Sequence, residues 1–489
     1  MGQSDVPQII SADDCSAVSL DTQADPDPDC ACPIDEPLPH ARAALPADSK
    51  HPYVCVDDLY RDRLANDLRL VFNPRGHGGV VMLNGAACRL LADFAQPRPL
   101  DALAPALRPV ARRLAALELI VPAGTPPQAV PDSRHTLTAW LHVTNACNLR
   151  CTYCYLKKTT KAMDLTIGRQ AIASIFRSAE AHGFRAVKLK YAGGEASLNL
   201  PLVLALHTYA QALATRADLG LRGVLLTNGV ALNDQAINDL CQAGLQVTIS
   251  LDGVGAIHDA QRPFVNGRGS FTSIEHTLDR LAAHAVTPSV TITLTAHNLA
   301  RLPEVLDYTL DRKLPFRLNF YRENDCTVGR RDLDFSDEAA MVALRAAFAR
   351  IAARPPNHSL LSLLTDRARM DAPHNRPCGA GHSYLVVDQW GAVATCHMQI
   401  EQQVAHVSAP DLLGAVLAAN GGLYSPHVEA KVDCQACPWR YQCAGGCPAL
   451  AQRVNGSVAA RSPYCNLYRM LFPEVLRLES ARILTHAAI

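Results

Sequence analysis

Cys147, Cys151 and Cys154 follow one another as C-x3-C-x2-C within residues 144–155. Three thiolates on one tight loop can hold three corners of a [4Fe–4S] cube and leave the fourth iron open to a substrate. A closed zinc site competes with this reading but needs a fourth ligand nearby, and His142 lies within the preceding apolar run. Thioredoxin-type redox use of Cys151 and Cys154 is a weaker competitor, because it leaves Cys147 without a role. A second constellation comprises Cys378, Cys396, Cys434, Cys437, Cys443, Cys447 and Cys465. Its spacing is C-x12-G-x4-C, a gap, C-x2-C-x5-C-x3-C, a gap, and a last Cys. Seven thiols are too many for one cluster and one short of two full cubes. A pair of zinc knuckles is the rival reading here.

Loops of this kind need strands and helices to aim them. From His135 onward the chain alternates the two periods. Strands are predicted at residues 137–143, 187–191, 223–226, 246–251, 290–294 and 316–320. Helical patterns at 167–181, 200–217, 234–244, 271–284 and 302–313 separate them, and 335–354 is a further helix. Repeated βα units imply a parallel sheet with right-handed crossovers, and its functional loops belong at the carboxyl ends of the strands. Six units are too few for the eight-fold barrel. The first cysteine loop directly follows strand one, as such a site requires. After Pro377 the pattern changes to short strands, glycines and dense cysteines, the signature of a metal-stapled unit.

The amino-terminal third is different. Residues 1–50 read as a disordered tail holding Asp25, Asp27, Asp29, Cys30 and Cys32 without helix or strand period. The Cys30/Cys32 pair reads as incidental thiols, with metal or partner binding as the alternative. Residues 51–124 read as a small α+β unit. It has a hairpin of runs 68–73 and 79–84, a helix at 85–94, a second at 110–117 and a short strand at 119–121. Residues 125–134 are a Pro/Gly-rich linker.

Composition excludes several classes. The chain has 489 residues, with Lys+Arg 46 against Asp+Glu 46, so a basic nucleic-acid binder is not expected. No apolar run is long enough for a membrane span, and no secretory-type amino terminus is seen. The 17 cysteines in a long chain with 48% apolar residues argue for a reducing compartment and metal-bound thiolates rather than a disulfide scaffold. A cytoplasmic location follows as the expectation.

The C-x3-C-x2-C loop with an aromatic residue before its last cysteine, at the end of strand one, resembles the radical S-adenosylmethionine (SAM) enzymes. Its companions stand at successive strand ends. Gly193-Gly194-Glu195 ends strand two and Thr227-Asn228-Gly229 ends strand three. Ser250-Leu251-Asp252-Gly253 ends strand four, followed by His258, Asp259 and Arg262. The family often has Pro after the Glu, whereas this chain has Ala196. The second constellation resembles the SPASM domain of radical SAM maturases. The fold this implies is α/β: a partial (β/α)6 radical SAM barrel over 135–354, with a cysteine-rich iron–sulfur domain and carboxyl-terminal helix over 355–489. The 51–124 unit resembles the winged-helix peptide-recognition domain of ribosomal-peptide maturases.

The resemblance implies roles. Cys147, Cys151 and Cys154 would hold the SAM-binding [4Fe–4S] cluster. Tyr153, Gly193, Gly194, Glu195, Asn228, Ser250, Asp252 and Arg262 would contact SAM. The glycines would admit its methionine amine, Glu195 would accept from it, and Ser250 and Arg262 would hold its carboxylate. Cys434, Cys437, Cys443 and Cys465 would hold a distal auxiliary cluster. Cys378, Cys396 and Cys447 would hold a proximal one. Some relatives supply another Cys at the position of Ala372, so the proximal cluster would have an open iron. A substrate thiolate would fill it, or else water, a small thiol, His382 or His397. The implied activity is reductive cleavage of SAM to a 5′-deoxyadenosyl radical that modifies a ribosomally made precursor peptide, with a flavodoxin or ferredoxin as reductant. Thioether crosslinking of Cys is the first expectation. Carbon–carbon or carbon–oxygen crosslinking, epimerisation and sulfatase-type maturation follow. Sulfatase maturases place Asp after the Cys matching Cys396, where this chain has His397. A non-catalytic iron–sulfur scaffold is the reading from another class. Cys88 and Cys241 are expected in helix cores, and Cys326 near the mouth of the site.

Overall fold

The computed structural model describes residues 6–15, 50–126, 130, 135–419 and 422–487. Cys30, Cys32 and most of the expected linker lie outside them. In the amino-terminal unit, strands β1 (Ile9–Ser11), β2 (Pro52–Cys55), β3 (Tyr60–Arg63), β4 (Arg69–Phe72) and β5 (Val80–Leu83) precede helix α1 (Gly85–Ala92). Strand β6 (Arg98–Pro99), helix α2 (Arg108–Ala116) and strand β7 (Ile120–Pro122) complete it. The expected hairpin is β4–β5, in an antiparallel sheet of order β1-β5-β4-β3, and β6-β2-β7 forms a second small sheet. The expected tail is in part structured. Ile9, Ile10 and Ser11 pair with Leu83, Met82 and Val81, because two apolar residues suffice to extend an open sheet edge.

The central unit begins with β8 (Thr136–Thr144). Four strand–helix repeats follow it: β9 (Ala186–Gly193), β10 (Gly220–Thr227), β11 (Gln246–Ser250), β12 (Ser289–Leu294), ending on β13 (Phe316–Phe320). The helices are α3 (Leu165–Ala181), α4 (Leu200–Ala217), α5 (Asp234–Ala243), α6 (Ala256–Gln261), α7 (Phe271–Ala283), α8 (Leu302–Asp311) and α9 (Asp337–Ala353). Their starts carry the expected chemistry. Asp164, Asn233 and Ser336 accept from the backbone N–H three residues on, and Pro201 and Pro303 open α4 and α8. The strands β8 to β13 are all parallel neighbours in sequence order.

The carboxyl region contains β14 (Tyr384–Val387), β15 (Ala392–Ala394), β16 (Gln403–His406), α10 (Leu412–Ala418), α11 (Arg440–Cys443), α12 (Pro448–Asn455) and α13 (Cys465–His486). It does not stand apart from the central sheet. β14 pairs in parallel with β8, so the cysteine-rich region continues one nine-stranded mixed sheet. A single apolar core runs from Phe72 and Met82 through the central helices to Leu471 and Val475 of α13. The reason lies in β14 itself: Tyr384, Leu385, Val386 and Val387 are all buried, so both faces of that strand must be covered. Among the described residues no helix is long and apolar enough to cross a membrane.

Candidate functional site

The strand ends place the cysteine loop. Val143 and Thr144 close β8, and the loop beyond is laced to the segment after α6. Arg150 N donates to Pro263 O (2.8 Å), Thr152 N to Gln261 O (2.9 Å) and Val265 N to Asn148 O (3.1 Å). Asn145 holds the returning limb, donating to Lys157 O at 2.7 Å and Thr159 Oγ1 at 3.1 Å. His142, considered as a zinc ligand, instead meets Asn145 Oδ1 at 3.2 Å. Burial pushes its ring down to about 4, so it is neutral.

The glycine pair has a second duty that the sequence did not disclose. Gly194 N donates to Thr144 O (2.7 Å) and Glu195 N to Ala146 O (2.8 Å), so strand two's end lies directly on the cysteine loop. A Cβ on Gly193, where φ is +148°, would collide with Thr144 O, and one on Gly194 with Ala146 O. Only glycine permits this approach. Glu195 is likewise braced. Its carboxylate accepts from Thr227 Oγ1 (2.6 Å), Asn228 N (2.6 Å) and Ser197 N (3.0 Å). Asn228 in turn donates to Asn148 Oδ1 at 2.7 Å. The motifs at strand ends two and three therefore grip each other and the cysteine loop.

Strand four's end forms a triad with that loop, in which Asp252 and Arg262 are buried and Tyr153 is half-buried. Tyr153 Oη donates to Asp252 Oδ2 at 2.5 Å, and Arg262 donates to Tyr153 Oη while lying 3.5 Å from Asp252. Burial pushes Asp252 above its ordinary range, although Arg262 and Tyr153 draw it down. Arg262 Nε is buried without a hydrogen bond, a donor suited to an anion such as a SAM carboxylate. Ser250 stands half-buried at the end of β11.

Among the described residues no three His, Cys, Asp or Glu side chains converge tightly enough for one metal ion. Cys434, Cys437, Cys443 and Cys465 nevertheless line one cavity, and four thiols around one space suit an iron–sulfur cube. Burial pushes the Cys151 and Cys434 thiols up to about 11 and those of Cys396 and Cys443 to about 12. Such thiolates persist only beside a strong cation. Cys378, Cys396 and Cys447 form a separate group that feel one another's charge. Lys431, fully buried, lies in the field of both groups. Its Nζ makes no hydrogen bond among the described residues, as expected of a donor to cluster sulfur.

Sequence reading missed several neighbours. Lys158 Nζ donates to Cys154 Sγ at 2.9 Å; its only signal was a Lys four residues past the last cysteine. Asn324 Nδ2 donates to Tyr153 O at 3.1 Å from beyond β13. His397 stacks on Trp140 at 4.6 Å, meets Tyr384 Oη at 3.1 Å through Nδ1, and lies edge-on to Tyr155 at 5.5 Å. Cys326 is exposed, and its Sγ lies 3.3 Å from Tyr155 O, close to the cysteine loop as expected. Cys241 is exposed rather than in a helix core, because the buried face of α5 is Ala236, Ile237 and Leu240. Cys88 is half-buried on α1.

Comparison with known proteins agrees with this geometry. The Radical SAM superfamily matches residues 141–308. A serine-type anaerobic sulfatase-maturating enzyme of Klebsiella aerogenes is 24% identical over 367 residues, spanning 68% of this chain and 83% of that protein. The sporulation killing factor maturation protein SkfB of Bacillus subtilis is 25% identical over 224 residues, 44% of this chain and 50% of its own length. The solved structure of anSMEcpe with bound AdoMet and Cp18Cys peptide superposes with a TM-score of 0.56. Its identity is 17%, over 71% of this chain and 99% of that one. The family match places a radical SAM domain at residues 141–308 of this chain, where the motifs at successive strand ends lie, and the solved neighbour shares its fold.

Proposed function

We propose that the chain is a peptide maturase that joins a Cys sulfur of a ribosomally made precursor to a carbon of the same peptide. The observation that carries this reading is the unequal division of the auxiliary thiols. Four line one cavity, whereas Cys378, Cys396 and Cys447 stand as three. A three-thiol set leaves one corner of a cube for a substrate thiolate. The relatives support a polypeptide substrate without choosing the bond formed: one matures sulfatases, one matures a killing factor, and the solved neighbour holds a peptide.

When bound, SAM and the Cys147/Cys151/Cys154 cluster supply a 5′-deoxyadenosyl radical that abstracts hydrogen from carbon. The chain's own residues have the remaining tasks. Gly193 and Gly194 let strand two close on the cysteine loop. Glu195 and Asn228 fix that contact, and Arg262 and Ser250 would hold the SAM carboxylate. Tyr153 and Asp252 keep Arg262 oriented. The Cys378/Cys396/Cys447 set would hold a cluster with a corner for the peptide thiolate, and Cys434, Cys437, Cys443 and Cys465 would hold a third. The domain limits 51–124, 135–354 and 355–489, the partial barrel, and a winged-helix-like unit that grips the precursor belong to the same proposal. So do a flavodoxin or ferredoxin reductant and a cytoplasmic setting, which the many reduced thiols favour.

Sulfatase-type maturation is the second reading, favoured by the Klebsiella relative. His397 replaces its Asp and is packed against Trp140 and Tyr384, with burial driving its ring to the neutral form. The deciding experiment is coexpression with short peptides encoded nearby, followed by mass spectrometry. A thioether crosslink removes two hydrogens and blocks alkylation of one Cys. The same mass loss with every Cys still alkylatable indicates carbon–carbon or carbon–oxygen linkage. Unchanged mass with altered stereochemistry indicates epimerisation.

A further inference from the structure

Lys431 lies wholly inside the cysteine-rich region, at 0% exposure. Its backbone ties it to the first cysteine of the four-thiol set. Lys431 N donates to Val428 O (3.0 Å), and Cys434 N donates to Lys431 O (2.9 Å). Its side chain meets the loop Cys443-Ala444-Gly445-Gly446-Cys447, which joins the four-thiol set to the three-thiol set. Gly445 has φ +78°, and a Cβ there would lie 2.5 Å from Lys431 Cδ and 2.6 Å from Nζ. Glycine therefore leaves the space that the ammonium fills, midway along the link between the two sets. Nζ feels the charge of Cys434 and Cys443 in one set and of Cys378 and Cys447 in the other.

The described residues give this ammonium no partner except thiol sulfur. Nζ makes no hydrogen bond among them. Glu429, two positions earlier, accepts from Tyr441 Oη and pairs with Arg440 at 3.6 Å. Asp433 is exposed and lines the four-thiol cavity. The buried neighbours in sequence and on the loop, Val428 and Ala444, are apolar. A lysine is rarely buried so completely unless an anion meets it. The anions that two sets of thiols can hold here are iron–sulfur clusters. Cluster sulfurs accept hydrogen bonds, and cluster potentials follow those bonds and the charge nearby.

We propose that Lys431 is a positioning residue shared by the two auxiliary clusters: its ammonium donates to a sulfur of each and raises both reduction potentials together. The inference rests on the crosslinking reading above. There a hydrogen atom passes from carbon to the 5′-deoxyadenosyl radical, and the peptide thiol loses its proton to solvent on binding iron. The carbon radical and the thiolate sulfur then form one C–S bond and release one electron. An oxidised auxiliary cluster takes up that electron. A cation shared by both sets favours the electron on either one.

The test uses the full, iron-loaded chain with Cys147→Ala, so that only the auxiliary clusters are seen. The protein carries nitrogen-15 in its lysine side chains and is reduced anaerobically with dithionite. Pulsed electron paramagnetic resonance should show a lysine nitrogen coupled to both auxiliary signals. Coupling to one signal or to neither overturns the proposal, and that result needs no lysine variant to fold. Lys431→Met should remove both couplings. In a redox titration it should also make both potentials more negative, changing each reduction equilibrium about tenfold, or about 59 mV for one electron. Lys431→Arg should restore part of that shift. A Lys431→Met protein that keeps its auxiliary iron and both potentials overturns the proposal. The crosslinking reading is tested apart from this, by the two-hydrogen mass loss in a peptide coexpressed with the unmodified chain. It survives failure of the lysine test, and its own failure leaves the couplings and potentials as predicted.

Discussion

Tyr153 Oη donates to the buried Asp252 Oδ2 at 2.5 Å, tying the cysteine loop to the end of β11. Arg262 touches both partners, so the pair fixes the cation assigned to the SAM carboxylate. Tyr153→Phe leaves Asp252 with one donor fewer at a cost of about 1–3 kcal/mol. The SAM dissociation constant should rise about tenfold, equivalent to about 1.4 kcal/mol. Equilibrium dialysis with the reconstituted protein measures it, and unchanged affinity would remove Tyr153 from the positioning role.

Gly194→Ala forces a Cβ onto Ala146 O and should push the cysteine loop off its seat. The predicted result is selective: about four irons of about twelve are lost, and the auxiliary clusters remain. Iron analysis with electron paramagnetic resonance of the dithionite-reduced protein distinguishes this from global misfolding, which would lower all iron together.

Lys158 places a cation 2.9 Å from Cys154 Sγ. A nearby positive charge favours the more negative, reduced form of a cluster. Lys158→Met should therefore shift the SAM-binding cluster to a more negative potential, and Lys158→Arg should restore part of the shift. A redox titration followed by electron paramagnetic resonance reads this without turnover.

Iron retention should depend on pH in one direction. Burial pushes the thiols of Cys151, Cys396 and Cys443 up to about 11, 12 and 12, so at neutral pH the iron-free protein holds them protonated. Each must lose its proton to bind iron, and binding strengthens as pH rises toward those values. In a chelator challenge, iron should leave faster at pH 6 than at pH 8. The opposite order would contradict thiolate ligation at these positions.

The strands and helices of the central unit were legible because their apolar periods are clean. Residues 316–320 and 200–217 were read to the residue as β13 and α4. The cysteine spacing and the strand-end motifs exposed the site for the same reason: local chemistry written in short runs. Contacts between distant segments were not legible. The pairing of β14 with β8 joins residues separated by well over two hundred positions, and nothing local marks it. Ile9–Ser11 is too short to show a period. Glu195 was read as an acceptor for an ammonium, but its partners Thr227 and Asn228 come from the next strand, which only the folded sheet brings near. Lys431 is a single lysine in sequence, and its placement between two thiol groups arises from the cysteine-rich fold.

The central claim is that Cys147, Cys151 and Cys154 hold a cluster that cleaves SAM. Anaerobic incubation of the iron-loaded protein with dithionite and SAM, followed by chromatography for 5′-deoxyadenosine, tests it most directly. The account predicts 5′-deoxyadenosine from the unmodified chain, and none from Cys147→Ala although auxiliary iron remains. A fully iron-loaded protein that forms no 5′-deoxyadenosine, with or without candidate peptide, would contradict it.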